Sequence, residues 1–156
     1  MKITILAIGK KHDSKIAPAI DDYNKRLNHY TEVTWKLIEA KISSSMNTDQ
    51  IKMVESDLLL KNIEPNDEVV LLDETGNQLS SVELSNRLQR YMNHGNKNVV
   101  FIIGGAFGVS EELMRRSNYT LSLSKLVYPH QLVRLILIEQ LYRAYTILAG
   151  EKYHHI

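Results

Sequence analysis

Three glycines at the exit of an apolar run carry the first chemical question in this chain. The stretch FIIGGAFGVS, residues 101–110, sets Gly104, Gly105 and Gly108 between a buried strand and the helix start Ser110-Glu111-Glu112. Glycines clustered there serve a sharp turn or let a ligand lie close against the backbone. A nucleotide is the first ligand to test. The dinucleotide fingerprint needs glycines at i, i+2 and i+5, and no GK[ST] follows for a P-loop, so both phosphate motifs fail. A ligand that needs backbone approach without phosphate recognition fits better, with a turn-only role open beside it.

A second group of reactive types lies near the C-terminus. His130 and Arg134 stand one helical turn apart, as do Glu139 and Arg143, and the chain ends in Tyr153, His154, His155 and Ile156. Histidine exchanges protons near neutral pH. Arg134 interrupts LVRLILI, so its side chain is expected to turn where the apolar ones do not, making it a candidate on the side of an anionic substrate. Glu139 and Arg143 have the order and spacing of a structural ion pair. Taken alone, the terminal YHHI reads as a frayed end.

Composition narrows the field. The chain has 156 residues, a net charge of +1 and no cysteine, which excludes thiolate nucleophiles, Fe–S clusters and cysteine zinc sites. No metal is expected. The opening MKITILAIGKK reads as a strand and not as a signal peptide. No apolar stretch is long enough to span a membrane, so the expected location is cytoplasmic. From Leu113 onward six bases face two acids, Glu139 and Glu151, a bias that suits an anionic partner as well as an ordinary solvated surface.

The elements that must position these residues alternate. Strands are expected at Lys2–Gly9, over EVTWKLIEA, at Glu68–Asp73, over NVVFIIG and over YTLSLS. Helices are expected from about Ser14 to Leu27, from a Thr48 or Asp49 cap to Asn62, from the Ser80–Glu83 capping box to Asn93, over Ser110–Arg116, and from Pro129 to Ala149. The fold class is α/β in one domain, residues 1–156, with a mostly parallel sheet of about five strands and helices on both faces. Ligands of such sheets bind at the carboxyl ends of strands. Three exits therefore converge: LDETGNQLSS, GGAFGVS and LSKLVYPH. The last helix is apolar on nearly every azimuth, which calls for burial on a partner chain as well as on the sheet.

Together, VFIIGGAFG, SLSKLVYPHQLVR, EQLYRA and the terminal tyrosine–histidine resemble the RlmH family, and MKITILAIGK and YNKRL extend the resemblance along the chain. These are small SPOUT-class methyltransferases that methylate N3 of a pseudouridine in large-subunit (23S) ribosomal RNA. The resemblance implies a C-terminal trefoil knot, which generic topology rules would not suggest, and a homodimer whose cleft draws on both chains. It also implies S-adenosylmethionine as cofactor, held by Leu72, Gly104, Leu123, Ser124, Lys125, Leu126, Val127 and Tyr128. His154, Tyr153 and Arg134 are the residues expected to act on the RNA base: His154 as the better candidate for general base, Tyr153 to stack on or position the RNA base, and Arg134, with His130, as the other candidates for base or charge stabiliser. Ribosomal RNA, in the ribosome, is the expected partner, with neither membrane nor DNA. A non-enzymatic RNA- or ribosome-binding module and a nucleotide-binding protein are the alternatives.

Overall fold

The computed structural model describes residues 1–155. Its strands are β1 (Lys2–Ile8), β2 (Val33–Ile38), β3 (Glu68–Gln78), β4 (Asn98–Ile103) and β5 (Tyr119–Ser122). The helices are α1 (Ala17–Leu27), α2 (Thr48–Leu60), α3 (Ser81–Asn93), α4 (Glu111–Arg116) and α5 (His130–Leu148). The five strands form one sheet in the order β2-β1-β4-β3-β5, with every pairing parallel.

Alternation along the central strands divides the core. Ile3, Ile5, Val99, Phe101 and Ile103 point to one face, where they meet Ile20 and Leu27 of α1, Leu84 and Leu88 of α3, and Leu137, Ile138 and Leu141 of α5. Leu6, Val69, Leu71, Val100 and Ile102 point to the other face, against Leu59 of α2 and Leu113 of α4. Burial on both faces explains why β1 and β4 read as nearly continuous apolar runs.

Local chemistry sets the helix starts. Ser80 and Glu83 form the expected capping box. The α2 cap differs from expectation: Asn47, with Gln50 three positions on, closes a capping box before Thr48, because an Asn amide supplies the same acceptor that a threonine or aspartate would. Helix α1 begins at Ala17, later than expected, with Pro18 in its first turn. Strand β3 runs five residues beyond the expected Asp73, passing a register shift against β5 between Leu72 and Asn77. Pro129 precedes the first turn of α5, and Gly150 ends the helix with φ +71°.

Candidate active site

Because β4, β3 and β5 are parallel neighbours, their exits meet at one edge of the sheet. There they enclose a cavity of about 370 Å³, within the range of small-molecule sites. Seven of the eight residues to which the resemblance assigns the cofactor line it: Leu72, Gly104, Leu123, Ser124, Leu126, Val127 and Tyr128. Lys125 does not line it. The amide of Leu126 bonds back to Ser124 Oγ at 2.9 Å, and this tight turn leaves Lys125 exposed. Asp73, Glu74, Val109, His130 and Val133 also line the cavity; His130 is among the reactive residues singled out in the sequence, and the other four come with the strand exits and the first turn of α5. Asp73 Oδ1 is engaged by the amide (2.9 Å) and hydroxyl (2.5 Å) of Thr75, which leaves Glu74 as the freer carboxylate.

The walls suit an adenosyl sulfonium compound. Leucine, valine and tyrosine side chains offer apolar flanks for a ring, and the carboxylates of Asp73 and Glu74 suit an ammonium or sugar hydroxyls. Among the described residues, the charged side chains in the lining are these two acids, with no lysine or arginine to receive a phosphate.

The glycines prove to be packing residues. A Cβ on Gly104 would stand 2.7 Å from Val109 Cγ1, and one on Gly105 would collide with the Glu55 carboxylate. Gly108 has φ +81° and bonds its amide to the Gly105 carbonyl at 3.2 Å, closing the loop tip. Gly104 and Gly105 thus border the cavity, but the directions in which they lack side chains face Val109 and α2.

Glu55 is the unexpected group here. It is 7% exposed, and its Oε1 has no hydrogen-bond partner among the described residues. Its neighbour Ser56 accepts the Ser110 amide at 2.8 Å, so α2 holds the C-terminal end of the glycine loop. Burial pushes the Glu55 carboxyl above its ordinary pKa. A raised value means that the folded state favours the protonated form: stability is fullest below the ordinary carboxylate range and falls as pH rises through the shifted value. Glu55→Gln is therefore expected to stabilise the fold at pH 7 by on the order of 1 kcal/mol. In thermal melts that advantage should disappear as pH falls below about 4.

Arg134 is turned away from the position expected of it. It is 1% exposed, and its guanidinium reaches the loop after β1 and not the cavity. Nη2 donates to the Ile8 carbonyl at 2.7 Å and Nη1 to the Lys11 carbonyl at 3.0 Å, while Nε has no partner among the described residues. Gly9, at φ +129°, leaves the space: a Cβ there would lie 2.7 Å from Nη2. The side chain turns from the apolar stripe as predicted, but toward backbone carbonyls, the nearest acceptors that can satisfy a buried cation. Burial lowers the His130 pKa, and the charge of Arg134 lowers it further.

The tail is docked, not frayed. Tyr153 donates to Glu139 Oε1 at 3.0 Å, lies 3.3 Å from the Tyr23 hydroxyl and packs edge-on against Tyr142 at 4.8 Å. Glu139 also binds Arg143, at 3.0 Å from Nε and 2.5 Å from Nη2. Burial, with help from Tyr23 and Glu139, raises the Tyr153 pKa far above that of a free phenol. Tyr30 donates to Glu151 at 2.5 Å, which pushes its pKa up to about 12. Arg143 Nη1 lies 3.4 Å from His154 Nδ1. Arginine can only donate, so in this contact Nδ1 is the acceptor and the ring N–H lies on Nε2. The structure thus brings Tyr153 and His154 together with Glu139 and Arg143, and leaves Arg134 apart. Glu139 lies nine positions beyond His130 at the cavity wall, roughly 13 Å along α5.

A parallel sheet with a ligand cavity at its converging strand exits is the architecture of a cofactor-binding enzyme domain, and the family model described as "Predicted SPOUT methyltransferase" matches residues 1–154. The chain belongs to the SPOUT methyltransferase family. Ribosomal RNA large subunit methyltransferase H of Flavobacterium psychrophilum is 43% identical over 156 residues, covering 99% of each chain. The protein of the same name from Desulfotalea psychrophila is 45% identical with the same coverage. These matches bear out the resemblance to the RlmH family. Among solved structures, a Legionella pneumophila protein with the cofactor SAM bound shares the fold at TM-score 0.51 and 12% identity, over 92% of this chain and 66% of that one.

Proposed function

We propose that this chain is an S-adenosylmethionine-dependent methyltransferase that modifies N3 of a pseudouridine in 23S ribosomal RNA, working as a homodimer on the ribosome in the cytoplasm. The observation that carries the reading is the cavity: seven residues expected to hold the cofactor converge there, with no lysine or arginine among the described residues to receive a phosphate. The full-length relatives named as ribosomal RNA methyltransferases support the substrate class. No helix among the described residues is long and apolar enough to cross a membrane.

When bound, the cofactor supplies an electrophilic methyl on a sulfonium whose departure leaves a neutral thioether. This chain's residues then have two tasks. The strand exits fix the methyl's position, where alignment at roughly 3–3.5 Å does most of the work. The tail meets the base: His154 presents an Nε2–H, oriented by Arg143, to the negative charge that develops as the N3 proton passes to solvent water. Tyr153 pins the tail through Glu139.

One chain alone leaves these tasks apart, and this supports the dimer. Leu132, Ile136, Glu139 and Arg143 form one stripe on α5, and Leu132 is 40% exposed. Leu126 and Val127, at the cavity mouth, are 70% and 80% exposed. A two-fold axis crossing α5 near Ile136 would pair its first half with its partner's second half, as an isologous contact requires. Arg143 and His154 of one chain would then reach the other chain's cavity. A trefoil knot, implied by the family, accords with α5 returning from edge strand β5 to pack between α1 and α3.

Ile136→Asp is expected to give a folded monomer without methyl transfer, read by light scattering alongside the assay. Leu137 would not serve this purpose: it is fully buried in the chain's own core. The reading as a whole is tested by calorimetric titration with S-adenosylmethionine, then methyl transfer to large ribosomal subunits lacking the modification. Binding without transfer would favour a non-enzymatic module, and displacement by nucleoside phosphates would favour the nucleotide-binding alternative.

A further inference from the structure

The loop between β1 and α1 leaves the sheet at the same edge as the cavity, because all strands run parallel. It carries Lys10, Lys11 and Lys15, all exposed, against one acid, Asp13. Asp13 Oδ1 accepts the Lys15 amide at 2.8 Å within the loop's own turn. Among the described residues, neither Lys10 nor Lys11 takes part in an ion pair.

This loop is held from beneath. Arg134 binds the carbonyls of Ile8 and Lys11, and Gln131 accepts the Asp13 amide at 2.8 Å. His12 turns inward, its ring edge-on to Trp35 at 4.7 Å, with Arg134 Nη1 3.3 Å from its Nδ1. The lysines on the N-terminal side of His12 stay outside. A flexible lysine pair would lose conformational freedom on binding; here at least the backbone share of that cost is met in folding.

The clamp is itself cationic, and no carboxylate pairs with it among the described residues. Arg134 therefore adds positive potential beneath the two lysines, an arrangement that favours an approaching anion. A free phosphate or nucleotide would need donors converging on one point, whereas adjacent outward lysines suit an extended chain of single charges. The same two turns of α5 that hold the loop also supply His130 and Val133 to the cavity wall. One helix thus fixes the spacing between the cations and the cofactor cavity.

We propose that the β1–α1 loop is a phosphate-backbone grip for the RNA, with Lys10 and Lys11 as its contacts and Arg134 and Gln131 as the residues that hold it in register with the cavity. The inference rests on the reading of the chain as an RNA methyltransferase.

The test compares wild type with Lys10→Gln/Lys11→Gln in binding to large ribosomal subunits lacking the modification, from 50 to 200 mM KCl at constant magnesium. Each phosphate contact contributes about 0.7–0.9 to the slope of log affinity against log salt, so the slope should fall by about 1.4–1.8 and the variant's deficit should shrink about tenfold over that range. Affinity for S-adenosylmethionine should not change, and Lys10→Arg/Lys11→Arg should keep the slope. An unchanged slope in a folded variant, with wild type still methylating, overturns the grip and leaves the methyltransferase reading intact. A reduced slope, with wild type binding but not methylating, upholds the grip and overturns the catalytic reading.

Discussion

His154→Ala is expected to lower methyl transfer by about 10²–10³-fold while leaving cofactor affinity and dimerisation unchanged, the cost of removing one donor aimed at developing charge. The geometry separates two roles that the sequence leaves joined. With Arg143 donating into Nδ1, the free ring nitrogen carries a proton and can give a hydrogen bond, but cannot take the N3 proton while that contact stands. His154→Gln, whose amide N–H can donate but cannot act as a base, should therefore recover a measurable part of the activity. Equal loss in the alanine and glutamine variants would assign His154 to proton removal instead. Truncation after Gly150 should be more damaging, because it also removes Tyr153 from its contacts with Tyr142 and Glu139 and Glu151 from Tyr30.

Gly105→Ala is the second change expected to have a large effect. The new methyl would collide with the Glu55 carboxylate, and relieving the overlap must turn that buried side chain into its packed surroundings or displace the glycine loop, typically at about 1–3 kcal/mol. Since the loop forms one wall of the cavity, calorimetry should show S-adenosylmethionine binding lost or reduced by at least tenfold. Glu55→Ala in the same chain removes the obstacle and should restore most of the affinity. If the double variant binds no better than Gly105→Ala alone, the methyl acts on the cavity directly and not through α2.

The legible parts of this molecule are those governed by short-range rules. Apolar runs such as Val99–Ile103 announced strands covered on both faces, Ser80 and Glu83 announced a cap, and the alternation of elements placed three exits on one edge. The cofactor wall followed from that placement together with the family resemblance. What stayed hidden depends on which distant group a side chain meets. Nothing near Glu55 indicates that its carboxylate lies under Gly105, fifty positions away. Arg134 could be predicted to leave the apolar stripe, but its acceptors are carbonyls at Ile8 and Lys11, and backbone atoms carry no sequence signature. Lys125 shared a motif with its cavity-lining neighbours, yet the turn closed by Ser124 faces it outward. The tail looked mobile because its partners, Tyr23, Glu139 and Tyr142, lie on two other helix surfaces.

The strand order has a consequence for how the protein is made. β4 lies between β1 and β3 but is synthesised after both. Until Ile103 has emerged from the ribosome, the facing edges of β1 and β3 have no partner, and unpaired apolar edges invite pairing with other chains. β5 then joins β3 across the whole of α3, β4 and α4. Pairings this distant in sequence slow folding, because loop closure must precede the contacts that reward it. β5, whose exit leads into Leu123–Tyr128 at the cavity, is thus also the strand that completes the sheet: an unfinished chain has neither the full sheet nor the cavity, and the two arrive together.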